Sequence, residues 1–100
     1  MSDLIKVAVM GCGHIGIYAA RAVQLAADMQ LIGAVELPGR IEAVRHELPG
    51  VTLATSLEEL PEKPAVVILA LPTRTVEKMA PSLLSQGIHT VDCFDMHGGP

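Results

Sequence analysis

The sequence predicts an α/β fold, a doubly wound parallel sheet, on three observations. Apolar runs rich in Val, Ile and Leu alternate with segments of helical spacing, the order expected of strands wound in turn with helices. The most apolar of these runs, 65–71, has no polar position, as a parallel strand covered on both faces should read. The first run ends in Gly11-Cys12-Gly13-His14-Ile15-Gly16 and passes straight into an alanine-rich helical segment, a strand, turn and helix in sequence. At 100 residues the chain holds one domain at most, spanning 1–100.

The first strand is expected over 5–10. The helix behind it spans about 14–27, with Ile15, Ala19, Ala22, Val23 and Ala26 forming one apolar side at helical spacing. A second strand, 31–35, closes on Glu36 and completes a βαβ unit of about thirty residues. Leu37-Pro38-Gly39 breaks that strand. Ile41, Val44 and Leu48 then mark the buried side of a short second helix, which Pro49-Gly50 ends. A brief third strand covers 51–53, and Ser56-Leu57-Glu58-Glu59 has the spacing of a capping box opening one helical turn. Pro61 and Pro64 stiffen the connection into the fourth and central strand, 65–71. The next helix, 75–86, contains Pro81, which should kink or split it, and Gly87 stops it. The fifth strand is 88–92.

Half the residues are hydrophobic and the aromatics are Tyr18 and Phe94 alone, so the core must be aliphatic. A net charge of −4 offers no basic footprint for nucleic-acid phosphates. No apolar run approaches the roughly 18–20 residues that span a bilayer, and the amino terminus lacks the basic region and cleavage site of a secretory signal. The expectation is a cytoplasmic protein with neither nucleic acid nor membrane as partner. Cys12 and Cys93 do not have zinc-site spacing, so no metal is expected. Cys12 sits near a helix start, where a thiol pKa can fall; the plainer reading is a small residue tolerated in a turn.

The glycine turn carries the chemistry. In a dinucleotide fingerprint the first glycine, Gly11, allows the tight turn. The second, Gly13, lets backbone approach a pyrophosphate, and the third, Gly16, lets helix pack on strand. The phosphates then meet unpaired helix N–H groups and the positive end of the helix dipole. Glu36, twenty positions after Gly16 at the end of a second apolar run, stands where an acidic residue bonds ribose hydroxyls. The alternative reading is a strand-to-helix turn with no ligand. Sheets of this class bind ligands beyond the carboxyl ends of their strands, which directs attention to Gly11–Gly16, residues 36–40, 71–74 and 92–97.

In those segments the chain resembles meso-diaminopimelate dehydrogenases. The resemblance lies in Leu71-Pro72-Thr73-Arg74-Thr75-Val76 and above all in Gly87-Ile88-His89-Thr90-Val91-Asp92-Cys93-Phe94-Asp95-Met96-His97-Gly98, together with the glycine turn and Asp28-Met29. It implies a Rossmann-like fold, an NADP cofactor, and reversible oxidative deamination of meso-diaminopimelate to 2-amino-6-oxopimelate in lysine biosynthesis. By the same resemblance Cys12, Gly13, His14 and Ile15 lie against the pyrophosphate, and Leu71, Pro72, Thr73 and Arg74 pass the nicotinamide ribose. Cys93, Phe94 and Asp95 form a cofactor-side loop. Asp95 also reaches substrate, Asp92 is a second carboxylate for its ammonium, and His97 supports the loop. The family's chains are longer, so the resemblance also implies a sequence cut before its substrate domain, inactive alone, and a homodimer when complete.

Two residues depart from the family's pattern. Arginines that grip a 2′-phosphate are expected after the second strand, and here Glu36-Leu37-Pro38-Gly39-Arg40 stands instead. Glu36 favours NAD, while Arg40 offers a cation to NADP. Cys93 replaces a hydroxyl residue and is a weaker hydrogen-bond donor. Two other functions stay open: another NAD(P)-dependent amino-acid or imine oxidoreductase, of the 2,4-diaminopentanoate or aspartate dehydrogenase type, and a non-catalytic nucleotide-sensing module.

Overall fold

The structure is a computed structural model that describes residues 3–93. Five parallel strands lie among them: β1 (Ile5–Met10), β2 (Met29–Val35), β3 (Leu53–Ala54), β4 (Val66–Leu69) and β5 (His89–Asp92). Their spatial order is β3-β2-β1-β4-β5. The chain builds leftward from β1 to β3, then crosses to β4 on the other side of β1. That reversal puts the topological switch point between β1 and β4, where α/β sheets bind ligands.

Three helices cover the sheet: α1 (His14–Leu25), α2 (Ile41–Glu47) and α3 (Thr73–Ser85), with short 3-10 turns at Pro38–Arg40 and Leu57–Glu59. Alternation along β1 assigns the faces. Val9 packs with Ile17 and Ala20 of α1, Val44 of α2 and Leu48. Ala8 and Met10 pack on the opposite side with Val76 and Leu83 of α3 and with Leu60. Leu48, Leu69, Val7, Val9, Val44 and Val67 are the largest fully buried side chains. Each contributes about 1.5–3 kcal/mol through the apolar surface it removes from water. The core is aliphatic, as its composition requires.

β2 contains an irregularity that positions the site. Val7 pairs with Leu31, but Ala8 pairs with Gly33, so β2 holds one residue more than β1 over this stretch. Ile32 and Val35 pack on the α3 side, whereas Leu31 and Ala34 pack on the α1 side. Ile32 is the residue left without a partner on β1, and Gly33 beside it lies beneath Leu60, whose Cδ2 would lie 2.4 Å from a Cβ at that position. Glycine is the residue that fits such a bulge.

The ends of α3 follow its sequence closely. Gly87 has φ +81°, its N–H donates to the Leu84 carbonyl, and the Ile88 N–H donates to the Leu83 carbonyl. These are the two bonds of a Schellman motif, closed by contact between buried Leu83 and Ile88. At the other end the helix begins at Thr73, two residues earlier than the sequence suggests. Pro72 needs no N–H at a helix start, and its carbonyl accepts from the amides of Thr75 and Val76.

Three expectations are corrected. The buried face of α1 is Gly16, Ile17, Ala20 and Val23, not the set built on Ile15, Ala19, Ala22 and Ala26; Ala22 is exposed. Alanine is apolar enough to suggest either face, and the bulkier Ile17 and Val23 decide. Pro81 does not split α3. Both Pro81 and Glu77 are exposed, and on an exposed helix side a carbonyl left without its donor costs little because solvent can replace the bond. The capping box does not form, because Ser56 makes no side-chain cap bond. The Glu59 carboxylate instead accepts from the amide and hydroxyl of Thr55, at 2.8 and 2.9 Å, and these bonds hold its pKa below the usual carboxylate value.

Candidate functional site

The carboxyl ends of the strands are tied into one platform by backbone bonds. Gly11 N–H donates to the Val35 carbonyl and Ala70 N–H to Met10, while Glu36 N–H donates to Ala54 and Cys93 N–H to Leu69, all at 2.9–3.1 Å. The sequence-predicted segments therefore meet along one edge, over the switch point. Gly11 to Gly16 and residues 71–74 flank it directly; Glu36 and Arg40 lie to one side, and Asp92 and Cys93 to the other. Phe94, Asp95 and His97 lie outside the described residues.

The three glycines do different things. Gly11 has φ +86°, and a Cβ there would come within 2.5 Å of the Ala70 carbonyl oxygen. A Cβ on Gly16 would lie 1.9 Å from the Gly11 carbonyl oxygen, so α1 rests on the turn as closely as backbone permits. Gly13 has nothing within 4 Å of that position, leaving open space in front of the helix. The first amides of a helix have no intrahelical acceptor. Here α1 has no side-chain cap and no acidic residue in its first turn. A pyrophosphate fits these residues: the space over Gly13 admits it, and the amides beginning α1 supply donors and a positive dipole end.

Glu36 is turned inward. Its Oε2 accepts from the Cys12 amide at 2.8 Å and its Oε1 from the Leu37 amide at 2.8 Å. Arg40 adds Nε to Oε2 at 3.2 Å, and its Nη2 lies 3.5 Å from the Cys12 carbonyl. The Glu36 side chain is 9 % exposed, whereas Arg40 remains 53 % exposed. One carboxylate thus ties β2 to the glycine turn, and the guanidinium lies across both. Leu71 is half-buried, and Pro72 and Arg74 are exposed at the start of α3. Asp92 is half-buried at the end of β5.

Cys12 is buried, with Sγ 3.9 Å from the Val35 carbonyl. Burial first, and then the charge of Glu36, push its pKa up to about 11 from 9.0. The lowered value suggested by its place near a helix start is therefore overturned; desolvation outweighs the dipole. Burial and the Asp92 charge also raise the Cys93 pKa. A group raised in the fold contributes stability that is fully present below its unfolded pKa and is lost as pH rises toward the folded one. Stability is therefore expected to fall between about pH 9 and 11. At pH 8, Cys12 should resist iodoacetamide until the chain is unfolded; rapid native labelling, read by mass spectrometry, would contradict its burial.

A groove of ≈ 390 Å³ opens beside the turn, between α1 and α2. Cys12, Gly13 and His14 form its upper end, Tyr18 and Arg21 one wall, and Arg40, Ala43 and Glu47 the other. Arg21 donates to the Glu47 carboxylate at 2.9 Å. Sequence reasoning did not find Tyr18, Arg21 or Glu47. The signal was present in the spacing, since His14, Tyr18 and Arg21 stand at i, i+4 and i+7 on one helix face.

Comparisons with known proteins agree with this geometry. The model of the oxidoreductase family with an NAD-binding Rossmann fold matches residues 5–91. The chain is 40 % identical over 95 residues to a meso-diaminopimelate D-dehydrogenase from Bacteroides fragilis, covering 95 % of this chain and 31 % of that protein. It is 38 % identical over 66 residues to an L-aspartate dehydrogenase from Ruegeria pomeroyi, covering 66 % of this chain and 23 % of that protein. It spans about a third or less of the length of these relatives. Among solved structures, an NAD-binding protein from Listeria innocua superposes with a TM-score of 0.73 at 26 % identity, over 87 % of this chain and 26 % of that one.

Proposed function

The chain belongs to the oxidoreductase family with an NAD-binding Rossmann fold, and on that premise we propose that it is the cofactor domain of an NAD(P)-dependent amino-acid dehydrogenase. Its substrate would be meso-diaminopimelate. The observation that carries this reading is the 40 % identity, sustained over 95 residues, to a meso-diaminopimelate D-dehydrogenase. The likeness to an L-aspartate dehydrogenase favours the same class, a dehydrogenase of amino acids, and gives the second substrate to try. The whole protein would work as a cytoplasmic homodimer on a small-molecule substrate, with the substrate domain supplied beyond residues 1–100.

A bound nicotinamide dinucleotide supplies the hydride acceptor for such an oxidation. The residues of this chain hold and orient it. The amides that begin α1 would take the pyrophosphate over Gly13, and Leu71, Pro72, Thr73 and Arg74 would border the nicotinamide ribose. Asp92, with Asp95, would offer carboxylates to the substrate ammonium and fix which carbon faces the cofactor. Glu36 would favour NAD through its charge, since a carboxylate held between the Cys12 and Leu37 amides would repel an added 2′-phosphate.

The test is reduction of NAD and NADP by the full-length protein with meso-diaminopimelate and, in parallel, L-aspartate. Reduced cofactor with the first substrate is the expected result. Turnover with aspartate alone moves the reading to that dehydrogenase, and turnover with neither overturns it. Residues 1–100 alone are expected to bind nucleotide weakly and turn over no amino acid.

A further inference from the structure

β4 reads in sequence as a strand covered on both sides, and it is fully covered on one. Its side chains toward α3, Val67 and Leu69, are fully buried, whereas Val66 and Ile68 on the opposite side are half-buried. Register carries that opposite side across three strands. Val9 pairs with Ile68 and Ile68 with Val91, while Val7 pairs with Val66 and Val66 with His89. Paired residues of neighbouring strands project from the same side of a sheet, and Val9 packs with Ile17 and Ala20, so this is the α1 side. On β5 it lies open, with His89 exposed and Val91 49 % exposed. A parallel sheet is normally buried on both sides.

α1 stands as a wall beside that floor. The helix rests mainly on β1 and β2, and α2 lies beyond it toward β3. The flank of α1 that carries His14, Ile17, Tyr18 and Arg21 lines the groove toward α2. At about 100° per residue, Ile15, Ala19, Ala22 and Ala26 form the other flank, which faces the β4 and β5 side. No charge stands on it; Ala22 is exposed, and Ile15, Ala19 and Ala26 are half-buried. Leu25, exposed, sits at its rim. These residues give α1 a second apolar side, and wall and floor together make one apolar trough.

We infer that this trough is the docking surface for a helix from the polypeptide that follows residue 100 in the full-length protein, about three turns long and apolar on the side it buries. The inference rests on the reading above only in taking the chain as one domain of a longer protein. α1 spans 12 residues, about 18 Å at the rise of an α-helix, and its flank of alanines admits another helix at short range. α3 joins β4 to β5 on the side opposite α1. Right-handed crossovers repeat that side, so a segment leading from β5 to a further parallel strand would land beside α3 and leave the trough open. The matched segments are 31 % and 23 % of the two relatives, which leaves more than two-thirds of each chain to supply a later helix. A second copy fits less well, because a two-fold contact must complement itself and this surface is concave. Docked in the trough, the second domain is held against the helix whose first turn receives the cofactor.

The test uses the full-length protein with Ala22→Cys or Val91→Cys, and separately with p-azidophenylalanine in place of Leu25. Iodoacetamide labelling, read by mass spectrometry at each new cysteine, should be at least about tenfold slower in the native protein than in urea. Less protection at either site means that the trough is open and overturns the inference. On illumination, the azide at position 25 should cross-link within one chain to a peptide beyond residue 100. A product with the mass of two chains on a denaturing gel would make the cover a second copy; a cross-link confined to residues 1–100, or none, would leave the trough uncovered. Each of these overturns the docking. Reduction of NAD and NADP by the wild type with meso-diaminopimelate and L-aspartate is read in parallel. Turnover without protection overturns the docking alone, and protection without turnover overturns the dehydrogenase reading alone.

Discussion

Replacing Gly16 with alanine is expected to destabilise the fold by about 3 kcal/mol or more, the scale of a forced backbone displacement in a packed core. The added Cβ would lie 1.9 Å from the Gly11 carbonyl oxygen and 2.9 Å from its carbon. Neither can yield as a side chain would, because Gly11 is anchored by its own N–H to Val35 and held against Ala70. Relief requires α1 to lift from β1, which opens the cluster of Val9, Ile17 and Ala20. Urea denaturation should show a lower midpoint with an unchanged slope. Gly13→Ala is the control: nothing lies within 4 Å of its Cβ, so stability should hold while nucleotide affinity falls. Equal midpoints for G16A and wild type would show that the helix does not rest on the turn.

The second large effect is expected at Glu36. Glu36→Ala removes the acceptor for the Cys12 and Leu37 amides and the counter-charge of Arg40. Leaving such donors unanswered costs about 1–3 kcal/mol each where water cannot reach them. The Leu37 amide is exposed and should contribute little, so a loss of about 2 kcal/mol is expected, most of it from Cys12. Hydrogen exchange at the Cys12 amide reports that bond directly and should accelerate. The same change frees Arg40, and the ratio of NADPH to NADH affinity should rise by about tenfold, the equivalent of about 1.4 kcal/mol. Glu36→Gln keeps an acceptor but not the charge. It should therefore hold more of the stability while showing the same change of preference. A Glu36→Ala variant with native exchange at Cys12 would contradict the inward carboxylate.

The parts of the molecule governed by local chemistry were legible in the sequence. β1 spans the residues its valines and isoleucine predict, and Gly87 stops α3 through a positive φ that its neighbours could not adopt cheaply. The steric roles of Gly11 and Gly16 could be read from the glycine turn. What was not legible depends on distant partners. The strand order arises from a crossover, and no residue on β3 or β4 encodes its neighbour. Glu36 was expected to face ribose hydroxyls, but its orientation is set by an amide 24 residues earlier in the chain. The capping box failed for the opposite reason: Thr55 competes locally with two donors, and a motif defined by Ser56 and Glu59 alone does not register it. On α1, alanine blurred the periodicity, since it fits either face at little cost.

The extra residue in β2 makes that strand a length gauge for the cofactor site. Side chains alternate sides along a strand, so the single added step at Ile32 sets the phase of everything after it. With it, Met10 stands opposite Val35 and the next residue, Glu36, reaches back to the turn on the α1 side. Deleting one residue there would leave a sheet of the same order, but Leu37 would arrive where Glu36 now bonds the Cys12 amide. The count of residues in β2, more than their composition, therefore decides which side chain meets the Cys12 amide at the glycine turn.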